Sequence, residues 1–295
     1  MPLDIKFSGA PLGHEICNVD LTNLDDATFA EIEATYDKYG VVVIRGQKLD
    51  PEAQVAYSRR FGPLDRFVLE RFNHKQFPEV FILSNIIENG VPVGMNEAGR
   101  YWHSDMWVTE RPPRGSILHS IEVPHNGDEP LGDTCFASTA HAYDTLDEAM
   151  KKRIENLSCV FSSAKYADYV GHSKPKDVHT REIAEARKDI KDRLMTHRMV
   201  RTHPRTGRKC LYVVEGVISQ VIGMPEDEAE DLLQELLAHI IRPEVVYRHC
   251  WKVGDVVMWD NYSALHCAIG DFELPQRRLM HRTTLSSSTM VAAAS

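Results

Sequence analysis

From about residue 100 onward the chain is a succession of short runs rich in β-branched and aromatic residues. The segments 101–109, 114–124, 132–138, 157–163, 197–203, 209–215, 244–250, 255–260, 262–268 and 278–285 all fit strands. Two strong helical patterns interrupt them, 139–156 and "PEDEAEDLLQELLAHII" (225–241), where Ala229, Leu232, Leu233, Leu236, Leu237 and Ile240 form one apolar stripe. So many strands with so few helices predict a mainly β fold with flanking helices, a sandwich or jelly roll that carries its helices outside.

The first hundred residues alternate instead. Polar cap candidates, helical spacing and a closing Gly40 predict a helix over 23–40, and "VVVIRG" (41–46) reads as a buried strand. Asp50 followed by Pro51 opens a second helix, "PEAQVAYSRRFG", and "VFILSN" (80–85) reads as another strand. With 295 residues, 43% of them hydrophobic, one large core or two modest ones are possible. Neither an internal repeat nor a dividing linker is visible, so residues 1–295 are expected to form a single domain with a frayed tail at 290–295. The charge-dense segment 165–195 reads as a solvated loop plus surface helix, or as a mobile lid over a site.

A net charge of −9 argues against nucleic acid as a partner, because such binders carry a basic footprint. No run reaches about 18 apolar residues, and "MPLDIKFSGA" lacks the basic and apolar regions of a secretory signal, which predicts a soluble cytoplasmic protein without membrane contact. Six scattered cysteines with no C-x-x-C fit reduced thiols. A small-molecule substrate and a homo-oligomer are the expected partners.

The candidate chemistry starts at "RYWHSDMWV" (100–108). Fourteen histidines and 43 acidic residues give about two His-x-acid pairs by chance, so the single His103-x-Asp105 pair is no signal alone. On a strand, however, residues i and i+2 share a face, and His103 and Asp105 would project side by side. His266, in "GDVVMWDNYSALHCA", is the candidate third ligand. Two imidazoles and one carboxylate on one face of a metal leave adjacent positions open, which suits an Fe(II) centre that must take both a co-substrate and O2. Arg278 and Arg282 follow, four apart and so on one face of a strand; inward-facing guanidiniums are costly to desolvate unless they meet anions. A guanidinium fork matches a carboxylate, which points to a dicarboxylate co-substrate.

The stretches "VVVIRGQ", "RRFGPL", "YWHSDMWV", "PPRGSILHSIEVP", "GDTCFAS", "RTHPRTGRKCLYVVEG", "GDVVMWDNYSALHCA" and "PQRRLMHRTTL" occur in the order found in the TauD/TfdA-like family of Fe(II)/2-oxoglutarate-dependent dioxygenases, and the chain resembles that family over roughly residues 8 to 285. The resemblance implies a double-stranded β-helix (jelly roll, cupin-like) in which His103, Asp105 and His266 ligate Fe(II). It implies that Thr134 and Arg278 hold 2-oxoglutarate, and that Arg282 lines the pocket within reach of an anionic group. The implied activity is hydroxylation of a small, anionic organic substrate with release of succinate and CO2. Asp105 fills the third ligand position, which favours hydroxylation over halogenation; desaturation is the runner-up outcome. Taurine-oxidising members are expected to carry asparagine four residues before the first histidine and an aromatic after the stretch matching "VVEG". Here Gly99 and Val217 stand at those places, which argues against taurine. Two rival readings are a non-catalytic metal-binding jelly roll acting as a sensor or interaction protein, and a zinc hydrolase, which would need a general base and no 2-oxoglutarate.

Overall fold

The structure is a computed structural model that describes residues 3–96, 99–173 and 193–290. The greater part of the expected lid, 174–192, and the end of the expected tail, 291–295, lie outside the described residues.

The architecture is mostly β with several helices. An eight-stranded sheet runs in the order Asp4–Lys6, His14–Cys17, Val41–Ile44, Val256–Asp260, Gly115–Glu122, Leu279–Leu285 and Leu64–Asp65, with Phe81–Ser84 also pairing with Leu279–Leu285. Its pairings are antiparallel except where His14–Cys17 meets Val41–Ile44. A three-stranded sheet orders Tyr247–His249, Thr134–Ser138 and Ala264–Ala268, and another orders Leu194–Arg198, Ser158–Ser162 and Ile218–Val221.

Alternation along the central strands explains the layering. Val41 and Val43 join Leu118, Val257, Trp259 and Met280 in one core with Phe136, Trp251 and Ala264 of the smaller sheet and its flank. Val42 and Ile44 point the other way and pack with Ile117, Val256 and Met258 against Ile32, Tyr36 and Tyr57 of two helices and Phe61 just past the second. A strand buried on both faces reads as an unbroken apolar run, which is what "VVVI" is. The helices are Asp26–Tyr39, whose cap Asp25 accepts from the Thr28 amide at 2.7 Å, and Pro51–Arg59, whose cap Asp50 accepts from Ala53 at 2.8 Å. The helix Glu226–Ile240 buries Ala229, Leu232, Leu236 and Ile240 in a third cluster with Trp107, Phe161 and Leu211. No helix among the described residues is long and apolar enough to cross a membrane, and all six cysteines are free thiols.

Several sequence expectations fail locally: 197–203 is divided between Leu194–Arg198 and Val200–Thr202 in two sheets, 209–215 is strand only over Lys209–Leu211, and 244–250 opens in a 3-10 turn before Tyr247–His249. The segment 101–109 is a series of turns rather than a strand: the Thr109 amide and hydroxyl both donate to the Met106 carbonyl, at 2.9 and 2.7 Å, and Met106 takes a φ of 54°. The predicted helix 139–156 is two, Thr139–Asp144 and Glu148–Ile154, because Asp147 turns its carboxylate to the Met150 amide (2.7 Å) and starts a new helix.

Candidate active site

The site is assembled by the backbone. His266 lies at the centre of the Ala264–Ala268 strand, and His103, although in a turn, forms an isolated antiparallel bridge to it. The His103 amide donates to the His266 carbonyl (3.0 Å) and the His266 amide to the His103 carbonyl (2.8 Å). This exchange brings together segments 163 residues apart and puts the two imidazole centroids at 4.1 Å. Asp105 reaches the same point because its own amide donates to Asn261 Oδ1 (3.1 Å), and Asn261 in turn donates to the Pro113 carbonyl (3.2 Å).

Ligand atoms of His103, Asp105 and His266 all lie within 4.8 Å of one another, the single such group among the described residues. All three side chains are buried. His103 Nδ1 faces the Tyr101 carbonyl at 2.8 Å, which fixes the proton there and leaves Nε2 as the electron-pair donor. His266 Nε2 stands 3.9 Å from Asp105 Oδ1, too long for a hydrogen bond but a span that two metal bonds of about 2 Å can bridge. The donor set therefore fits a divalent ion.

Electrostatics favour the ligand-competent forms. Burial lowers the pKa of both histidines, His266 far below the ordinary value, with His103 adding to the effect there. Burial alone would raise Asp105, but Arg282, His266, His103 and the Ser116 hydroxyl hold its carboxyl well below the usual carboxylate range. Ser116 donates to Asp105 Oδ2 at 2.8 Å, and Arg282 Nη1 lies 3.2 Å from Oδ1. The Arg282 guanidinium stands over Phe81 (5.0 Å) and Phe67 (5.8 Å).

The remaining predicted residues form a neighbouring group. Arg278 is only 9% exposed, and its Nε has no hydrogen-bond partner. Its backbone is pinned by Asn85 Oδ1, which accepts from its amide at 2.8 Å, and by Ser84, whose hydroxyl donates to its carbonyl at 2.8 Å. Burial and the charge of Arg100 bring its pKa down to about 10. The side chain lies against the turn that leads into Thr134: Gly132 has a φ of 76°, and a Cβ there would come 3.5 Å from Arg278 Nε. Thr134 is buried, and its hydroxyl accepts from Trp251 Nε1 at 3.1 Å.

Sequence reasoning missed Ser116, in a strand, and Trp251 and Asn261, just beyond strands, whose roles arise only through contacts 11, 117 and 156 residues away in sequence. Gly99 acquires a physical reason. It has a φ of 73°, and a Cβ there would approach His103 Cε1 to 2.5 Å, so a side chain at 99 would press on a candidate ligand. Val217 is fully buried in the third core cluster.

The profile of the taurine catabolism dioxygenase TauD, TfdA family matches residues 4–284. Among curated relatives, an alpha-ketoglutarate-dependent 2,4-dichlorophenoxyacetate dioxygenase of Burkholderia sp. (strain RASC) is 34% identical over 88% of this chain and 86% of its own length. Pentalenolactone F synthase of Streptomyces arenae is 28% identical over 93% and 92%. The solved structure of AAD-2 in complex with Mn(II) and N-oxalylglycine superposes with a TM-score of 0.77 at 28% identity, covering 97% of each chain. Fold and site thus define an oxidoreductase, an alpha-ketoglutarate-dependent dioxygenase. The chain belongs to the TauD/TfdA family.

Proposed function

We propose that His103, Asp105 and His266 hold Fe(II), that Arg278 and Thr134 receive the distal carboxylate of 2-oxoglutarate, and that the enzyme hydroxylates a small anionic organic substrate. The observation that carries this reading is the convergence of three buried donors from two distant segments, together with a buried arginine, Arg278, that has no carboxylate partner among the described residues. When bound, the iron with its chelated co-substrate supplies O2 activation, so that decarboxylation of 2-oxoglutarate to succinate and CO2 is coupled to oxidation of a substrate C–H bond.

The chain's own residues bind and orient. Tyr101 holds the His103 proton at Nδ1, and Ser116 and Arg282 keep Asp105 ionised and aimed. Burial of Arg278 makes a carboxylate partner worth more than it would be in water. Arg282, engaged with Asp105 and flanked by Phe67 and Phe81, has further donors in its fork for an anionic substrate group above an aromatic floor. The relative that acts on 2,4-dichlorophenoxyacetate, an aromatic carboxylate, supports that substrate class. The crowding at Gly99, which leaves no room for the asparagine expected of taurine-oxidising members, is in keeping with a substrate other than taurine. A non-catalytic sensor has no use for Arg278, and a zinc hydrolase none for a 2-oxo acid.

The same reading takes 1–295 as one double-stranded β-helix domain working in the cytoplasm. Strands from both ends of the chain share the large sheet, the small sheet packs across one core from it, and the thiols are unpaired. The test is anaerobic addition of Fe(II) and 2-oxoglutarate, followed by O2 with a panel of aryloxy and other organic acids. A weak visible charge-transfer band and substrate-stimulated succinate are expected; neither band nor succinate with any acid would overturn the reading.

A further inference from the structure

Glu215 lies outside the donor triad and the co-substrate residues, yet both oxygens of this half-buried residue's carboxylate are engaged. The Trp102 amide donates to Oε2 at 2.8 Å, and the Tyr169 hydroxyl donates to Oε1 at 2.8 Å. The Glu215 amide donates back to the Trp102 carbonyl at 3.1 Å. Both main-chain polar groups of the residue immediately before His103 are therefore held by Glu215. Hydrogen bonds to a carboxylate are stronger than those between neutral groups, so this clamp sets how the chain enters the candidate ligand.

The second donor comes from a helix. Ser162 Oγ accepts from the Lys165 amide at 3.2 Å and opens the helix Ser163–Ser173, on which Tyr166 and Tyr169 stand three apart and so on one face. Tyr169 lies against the backbone of Gly216, where a Cβ would come 2.3 Å from its ring, so the glycine is what admits it. Tyr166 continues the contact through rings. The series Tyr166, Tyr101, His103, His266 has successive centroid distances of 5.3, 4.4 and 4.1 Å, and Trp107 Nε1 donates to the Tyr101 hydroxyl at 3.3 Å. The helix thus reaches the metal-site turn twice, by the carboxylate bridge and by the ring series.

We infer that Glu215 is a positioning residue that fastens the helix Ser163–Ser173 to the main chain carrying His103, so that filling the metal site and seating the helix favour each other. Its action runs through Trp102 and Tyr169 rather than on the substrate. The coupling is reciprocal: the free energy that metal binding lends to the helix is the free energy that the seated helix lends to metal binding.

The inference rests on the metal site proposed above, and the experiment separates the two. Amide exchange of residues 163–173 is followed by mass spectrometry in the whole protein without and with Mn(II), and Mn(II) affinity is measured by calorimetry. In the wild type, Mn(II) is expected to slow exchange across 163–173. Tyr169→Phe keeps the ring and deletes the hydroxyl; exchange there should rise by on the order of tenfold and lose its response to Mn(II). Glu215→Ala releases both partners and should also weaken Mn(II) binding by on the order of tenfold. Glu215→Gln, whose amide accepts from Trp102 and donates to Tyr169, should restore that affinity. Slow exchange in Val256–Asp260 shows that a variant is folded. Wild-type exchange at 163–173 that ignores Mn(II), undiminished Mn(II) affinity in Glu215→Ala, or a glutamine variant no better than the alanine overturns the inference while leaving the proposed function standing. Should Glu215→Ala fail to fold, Tyr169→Phe decides, and a helix still protected by Mn(II) in that variant overturns the inference. A wild-type protein that binds no Mn(II) removes the proposed function, and this inference with it.

Discussion

Asp105 is the residue on which the chemistry and the local electrostatics both converge. Its carboxylate faces two imidazoles, a hydroxyl and a guanidinium. Asp105→Ala is expected to lower succinate formation by more than about a hundredfold and to weaken Mn(II) binding in a direct titration. Full retention of activity would remove the ligand assignment. Arg278→Ala deletes one side of a buried charged pair, an effect of about 2–5 kcal/mol, so the 2-oxoglutarate requirement should rise by a factor of tens or more. An unchanged requirement in steady-state kinetics would show that another group holds the co-substrate. That His103, Asp105 and His266 meet was legible in the sequence because they sit in ordered, residue-specific stretches. Ser116 and Asn261 were not, since a serine in a strand and an asparagine after one carry no mark of what they will face once the chain folds.

Among the elements, the strands 41–44 and 256–260 were legible because both faces are buried and their apolar character is nearly continuous, whereas 115–122 and 279–285 were read from β-branched and apolar residues interleaved with polar ones. The turn at 101–109 was not. Its aromatic residues mimic a strand, while the hydrogen bonds that bend it come from Thr109 and Asn261, where tertiary contacts override local propensity. The bridge to His266 and the Asn261 hydrogen bond to the Asp105 amide, rather than strand alternation, bring His103, Asp105 and His266 together. The close of the first helix is a further test of how elements are joined. Gly40 caps it at φ 73°, its carbonyl accepts from the Asp260 amide at 2.8 Å, and a Cβ would come 2.5 Å from Ser263 Oγ. Gly40→Ala is therefore expected to cost about 1–2 kcal/mol in denaturant unfolding. A loss near zero would show that the turn relaxes freely.

For the molecule as a whole, stability is coupled to pH through buried histidines that stay neutral. Burial, with His119 and His74 nearby, takes His281 from its ordinary 6.5 to about 4. The unfolded chain takes up a proton as pH falls below 6.5 and the folded chain does not. The stabilisation is therefore complete above that pH and is lost on acidification, by about 2 kcal/mol at pH 5 for this residue alone. His103 and His266, lowered in the same sense, steepen the trend in metal-free protein. Urea midpoints measured from pH 7.5 to 5 should fall, and His281→Gln should flatten the fall; a pH-independent midpoint contradicts the assignment. The spacing of the two imidazoles is written into the main chain by a reciprocal pair of amide bonds, whereas the acid beside them is positioned largely by side chains. Replacement at 105 would thus leave the imidazole frame standing and change only the side chain at the third corner.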